Sequence, residues 1–140
     1  MCSPAVYNAY KNFLIAFQDK NGKSYPVLDY DSIEPAIQQG NEPFLVLNEL
    51  YSDAENTSIG TPLSKCMLEI GEIEIQCFVP SPESHAEARE LCQEVRTAIR
   101  NLRDGDVVAE EPSPPSVDVM NEGLWSVAVT SSPYEYYYYT

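Results

Sequence analysis

CMLEIGEIEIQCFVPSPESHAEARELCQEVRTAIRNLR, residues 66–103, holds two hydrophobic periods that meet at a Pro-Ser-Pro corner. Before the corner, apolar and polar residues alternate with the period of two that marks a strand buried on one face. After it, apolar residues recur every three or four positions, as on a helix with one buried stripe. The segment therefore reads as a strand feeding a covering helix, and the rest of the chain must supply further strands and a second layer.

The alternation changes phase within the strand. Leu68 and Ile70 share one parity, whereas Ile73, Ile75, Cys77 and Val79 share the other. A regular strand would send the two sets to opposite faces, so the sequence predicts a bulge near Gly71 that keeps both on the core; two strands joined by a sharp bend are the alternative. Either way, Glu69, Glu74 and Gln76 are expected on the outer, hydrated face. Beyond the corner, Ser81 caps the helix, Pro82 fits its first position and Glu83 adds favourable charge to its first turn. Ala88, Leu91, Cys92, Val95, Ile99 and Leu102 form its stripe. Arg96, Arg100 and Arg103 sit toward its C-terminal end, where cations suit the helix dipole, and Asp104-Gly105-Asp106 terminates it.

Working outward, SPAVYNAYKNFLIAFQDKNG (residues 3–22) predicts a helix capped by Ser3, opened by Pro4 and stopped at Asn21-Gly22, with Val6, Tyr10, Phe13, Leu14 and Phe17 on its apolar face. SYPVLDYD (residues 24–31) is a short strand or extended arm, and FLVLNEL (residues 44–50) is a strand. Residues 51–62 turn to Ser, Asp, Asn, Thr and Gly. They are expected to form an exposed loop between antiparallel strands, available for contact with a neighbour or simply mobile. A proline-rich connector over residues 110–118 precedes a last strand, LWSVAVTSS (residues 124–132). The terminal YEYYYYT (residues 134–140) offers aromatic surface on both sides of an extended strand. One sheet buries only one of those sides, which leaves the other for a partner; an unstructured tail is the competing reading.

At 140 residues the chain suits a single domain. Its net charge of -14 and scattered acids argue against a phosphate-gripping surface, though not against lining a passage through which DNA slides. No run of 18 apolar residues suggests a membrane span, and the N-terminal stretch lacks the pattern of a secretory signal. Cys2, Cys66, Cys77 and Cys92 lack CxxC spacing and read as thiols in a reducing compartment. His85, the sole histidine, reads as a surface residue of the helix's first turn. Asp29 with Asp31, Asp104 with Asp106, and Glu69 with Glu74 read as solvated carboxylates and not as metal or acid–base pairs, because no ligand loop surrounds them. No phosphate loop, zinc-protease or nucleophile-elbow motif is present. The expectation is no catalytic residue, no metal and no cofactor.

Taken in order, the amphipathic N-terminal helix, FLVLNEL, the stretch Gly71-Glu72-Ile73-Glu74-Ile75-Gln76-Cys77-Phe78-Val79-Pro80, a helix with Ala86 and Ala88 near its start, and a Trp125-containing strand resemble the tail terminator family of long-tailed bacteriophages. The likeness spans most of the chain; the Pro112–Pro115 connector and the tyrosine terminus depart from the family's pattern. The resemblance implies an α+β fold, an antiparallel or mixed sheet of about four strands with two main helices packed on one face. It also implies a homo-oligomer, a hexameric ring without catalytic activity. Such a ring is a structural virion protein of the tail or neck, made in the host cytoplasm. It stops growth of the tail tube protein, docks head completion or connector proteins, and lets the genome pass without specific binding. Asp53, Glu55, Asn56, Thr57 and Ile59 of the polar segment, with Tyr134, Tyr136, Tyr137, Tyr138 and Tyr139 of the terminus, are the expected interface. Another phage neck or head-tail joining protein, or an acidic inhibitor or adaptor that mimics nucleic acid, are the alternatives.

Overall fold

Three long strands dominate the chain: β2 (Phe44–Asn56), β3 (Cys66–Pro80) and β7 (Trp125–Tyr139). They come from a computed structural model that describes residues 2–32, 42–56, 66–80, 85–120 and 125–139. Around them stand β1 (Val27–Asp29), β4 (Arg103–Asp104), β5 (Val107–Ala109) and β6 (Ser116–Met120), with helices α1 (Pro4–Ala16) and α2 (His85–Ile99). The sheet runs β1-β2-β3-β7-β5-β4, and β6 pairs with β7 beside β5. Only β1–β2 is parallel.

This curled half-barrel of seven strands replaces the expected sheet of about four. Its additional strands, β4, β5 and β6, span two to five residues, too short to carry an alternation of their own. The proline-rich connector hides part of the difference. Its backbone runs along β7, with Glu110 N–H donating to the Pro133 carbonyl at 2.8 Å, and Ser113 N–H to that of Ser131 at 2.9 Å. Ser113 is tied again by Thr130 Oγ1–H and Ser131 N–H. Prolines lack the N–H a central strand must donate, but an edge tolerates them. The segment is therefore a proline-interrupted edge of the sheet, ending in β6.

The polar segment at 51–56 is not a loop: it continues β2, paired residue for residue with β3 from Tyr51↔Glu72 to Asn56↔Met67. Polar side chains on an exposed strand do not prevent its backbone from pairing, and composition alone misses this. Residues 57–62, the remainder of the expected loop, lie outside the described residues.

Nor does β3 bulge at Gly71. Its register with β7 is unbroken from Cys66↔Tyr139 to Pro80↔Trp125. The irregularity belongs to β2, where Leu50 is the extra residue between Glu49↔Ile73 and Tyr51↔Glu72. Consequently Leu68 and Ile70 point away from the helices, and Glu69 points toward them.

On the helix-bearing face, Val6, Tyr10 and Leu14 of α1 and Ala88, Leu91, Cys92, Val95 and Ile99 of α2 pack against Leu45, Leu47, Ile73, Ile75 and Cys77 in one core. Cys2, Cys77 and Cys92 are free and buried; Cys66 and Cys77 project to opposite faces of β3. The Cys77 thiol is held well above its ordinary pKa by its hydrogen bond with Cys92, and by burial. The opposite face carries a second cluster, Phe44, Val46, Phe78, Trp125 and Val127. The expected helix ends shift as well. The first helix stops at Ala16, short of Asn21-Gly22. The second stops at Ile99, leaving Arg103 in β4 and Gly105 at φ +59° in the β4–β5 turn. Ser81 and Pro82 lie outside the described residues.

Candidate interface at the open end of the sheet

Directly opposed residues of paired strands share a face, so the register fixes what each face displays. On the side away from the helices, one end of the β2–β3–β7 ribbon presents the rows Tyr51–Glu72–Pro133, Asp53–Ile70–Glu135 and Glu55–Leu68–Tyr137. Tyr51, Ile70 and Tyr137 are 56%, 43% and 45% exposed. The three long strands carry Glu49, Asp53, Glu55, Glu69, Glu72, Glu74 and Glu135 and no Lys or Arg. The result is an aromatic and aliphatic strip set among carboxylates. Glu110 reinforces it. Its carboxyl is raised from the ordinary value by lost hydration, then by a hydrogen bond and charge repulsion with Glu135.

Behind this surface, the helix-bearing face is fixed by a polar anchor. Glu69, 4% exposed, accepts Ser3 N–H at 3.2 Å, Ser3 Oγ–H at 2.5 Å and the Tyr134 hydroxyl at 2.7 Å. Ser3 does occupy the N-cap position of α1, yet its side chain makes no capping bond because its hydroxyl serves Glu69. Cys2 N–H donates to Glu49 at 3.1 Å, so two strand carboxylates clamp the entry to α1. Burial, the Glu49 hydrogen bond and nearby carboxylates push the Cys2 thiol up to about 12. Tyr134 meets Tyr10 edge to face at 6.2 Å, and the Tyr10 hydroxyl shares a 2.8 Å hydrogen bond with Ser132. Burial raises both phenols, and the Glu69 carboxyl raises Tyr134 further.

Gly71 makes room for this anchor. A Cβ there would stand 2.3 Å from the Tyr51 carbonyl oxygen and 2.7 Å from the Tyr134 hydroxyl. The glycine read from sequence as a bulge is instead the seat on which the cross-strand Tyr134 ring lies, an aromatic covering a glycine in the neighbouring strand.

Of the expected interface residues, Asp53, Glu55 and Tyr137 come together on the outer face. Tyr134 is buried, and Tyr136 and Tyr138 stack at 5.2 Å, half-buried, on the helix-bearing face. Asn56 and Tyr139 end their strands, and Thr57 and Ile59 lie outside the described residues. The expectation of an extended terminal strand holds for 134–139, but its tyrosines divide between two faces, with Tyr134 in the core. Tyr51, Leu68 and Ile70 were missed. The parity of Leu68 and Ile70 against Ile73 was the signal, had the strand been taken as regular.

Elsewhere, a groove of about 610 Å³ between α1 and α2 is lined by Phe13, Phe17, Gln93, Ala98, Asp19 and Lys20 among others. Asp19 and Lys20 there are already engaged. Asp19 accepts Tyr25 Oη–H and the N–H groups of Asn21 and Lys23, with the Tyr25 bond foremost in holding its carboxyl below the ordinary range, and Lys20 pairs with Glu90. Asp29 takes the Tyr7 hydroxyl and lies 3.7 Å from Lys11. Among the described residues, no cluster of three or more His, Cys, Asp or Glu is placed to hold a metal ion, and no helix is long and apolar enough to cross a membrane. Comparison with known proteins matches no family model and no curated relative.

Proposed function

We propose that this chain is a structural virion subunit that assembles as a ring on the head-proximal end of a bacteriophage tail tube, where it stops tube growth and offers a platform to head completion proteins. The observation that carries the reading is the outer strip of Tyr51, Ile70 and Tyr137 set among Asp53, Glu55, Glu72 and Glu135. Exposed aromatic and aliphatic side chains at the end of a rigid ribbon favour protein contact. Carboxylates on strands that carry no Lys or Arg repel a nucleic-acid backbone, as a passage for DNA requires. The apolar positions between the carboxylates also favour assembly over mimicry of nucleic acid, which calls for an uninterrupted acidic track.

The mechanism is steric. A head-to-tail contact whose rotation closes gives a finite ring instead of a filament, and a ring seated on the tube end hides the surface on which another tube ring would stack. Negative-stain microscopy and sedimentation of the purified chain, alone and with tail tubes, test this. Rings, or capped tubes of fixed length, are expected. A chain that stays monomeric in both conditions and leaves tube growth unchanged overturns the reading.

A further inference from the structure

One row of the sheet crosses five strands: Arg103 of β4, Val108 of β5, Glu135 of β7, Ile70 of β3 and Asp53 of β2 are successive register partners. All therefore share the outer face and one level of the sheet. The row begins at one edge with a cation and ends at the other with an anion. Among the described residues, both edges are open at that level. β1 covers β2 only at Leu45–Leu47, and among the described residues the stretch beyond Glu49 pairs with β3 alone. Among the described residues, β4 pairs only with β5. Leu50, Tyr51, Asp53, Ala54 and Glu55 are exposed, as are Arg103 and Asp104.

The charges at the two edges are not spent on each other. Arg96 and Arg100 converge on Glu111 at 3.1 and 2.7 Å, whereas Arg103 forms no ion pair among the described residues. Among the described residues, Asp53 accepts only the N–H of its neighbour Ala54. An unpaired strand edge is a template for another strand, and charge along it selects which one. Two β2 edges meeting each other would set Asp53 and Glu55 against their own copies, so like charge disfavours a two-fold contact. On the outer face the β4 edge offers the opposite charge in Arg103, and Asp104, paired with Val107, lies on the other face.

We propose that the occupant of the open β2 edge is a second copy of this chain, which adds its β4 edge beside residues 50–56 and sets its Arg103 against Asp53 and Glu55. The strands alternate in direction from β2 through β3, β7 and β5 to β4, so β2 and β4 run the same way. A rotation about an axis along the strands brings them together in parallel at one level. The contact is head-to-tail, the kind that makes a finite ring when its rotation closes. This inference rests on the ring reading and supplies the contact from which the ring is built.

Charge exchange tests it, read as ring formation by sedimentation and negative-stain microscopy, with tail tubes where the parent chain needs them. Asp53→Arg alone and Arg103→Asp alone are each expected to weaken association about tenfold per interface. An equimolar mixture of the two single variants is expected to restore rings, because each then meets an opposite charge at both edges, alternating around an even-numbered ring. The double variant is expected to restore them as well. Glu55→Arg, on the same face two residues away, repeats the test at a second position, and circular dichroism checks that each variant is folded. Rings that form equally well with either single reversal overturn the edge contact and leave the ring reading standing. So do folded single variants whose lost rings return in neither the mixture nor the double variant. A parent chain that forms no ring even on tail tubes overturns both.

Discussion

At one end of the outer sheet face, Phe44 and Phe78 stack at 4.7 Å, with Trp125 edge-on to both, and all three are nearly sealed from water. At the other end of the same strands, on the same face, Tyr51, Ile70 and Tyr137 stand open among carboxylates. Strand alternation is identical in the two regions, so period alone does not separate a core residue from a contact residue. What separates them is the company each keeps. Apolar rings adjoin apolar rings at the closed end, and acids interleave at the open one.

The sharpest way to break this comparison is truncation at each end. Phe78→Ala is expected to cost about 3–5 kcal/mol in urea unfolding, as for other buried aromatics, whereas Ile70→Ala in the monomer should stay within about 1 kcal/mol. Equal costs would mean that the open end is covered in the isolated chain. Gly71→Ala probes the seat beneath the open strip. With a Cβ driven against the Tyr51 carbonyl, a loss of about 1–3 kcal/mol is expected from the strain, and full stability in a melting experiment would contradict the close approach. Glu69→Gln sets a donor where three donors already converge and is expected to cost about 1–3 kcal/mol. Glu72→Gln, three residues along and facing the other way, should leave the unfolding midpoint almost unmoved.

Two smaller effects depend on pH. Cys2, Tyr10 and Tyr134 all have raised pKa values in the folded chain. The native state therefore holds their protons longer than the unfolded state does, and their contribution is complete below the ordinary pKa values of 9 for the thiol and 10 for the phenols. Stability should fall as pH rises beyond that range, visible as a lower melting temperature at pH 10.5 than at pH 8. Tyr10→Phe should flatten the fall. The smallest change belongs to the open end. Glu110, raised from its ordinary 4.5, loses stability as pH climbs from 4.5 through its higher folded value. Glu110→Gln should match the parent at pH 3 and slightly exceed it at pH 7 in urea midpoint.

The strand-corner-helix reading of residues 66–103 places β3 and α2 correctly because each has enough residues for its period to show. The same strand defeated the reading at Gly71. Assigning every apolar residue to one core demanded a bulge, when the sheet has apolar clusters on both faces and the bulge lies at Leu50 in its partner. Glu69 was placed in water because a lone carboxylate in an alternating strand normally faces solvent. Its partners, Ser3 and Tyr134, lie 66 and 65 residues away, and no local pattern announces them. Asp53, Glu55 and Tyr137 were legible as exposed residues from composition. That Tyr134 belongs to the core follows only from the register of β7.

β7 is held by β3 along one edge, and by β6, Ser113, Glu110 and β5 in turn along the other. It is central in the sheet but later in the sequence than every strand it joins. During translation, β2 and β3 leave the ribosome with one long edge of β3 waiting, and the acidic clamp on Ser3 lacks its tyrosine. Completion of the sheet thus waits for β7. A nascent chain stalled before residue 125 is a sheet missing its middle.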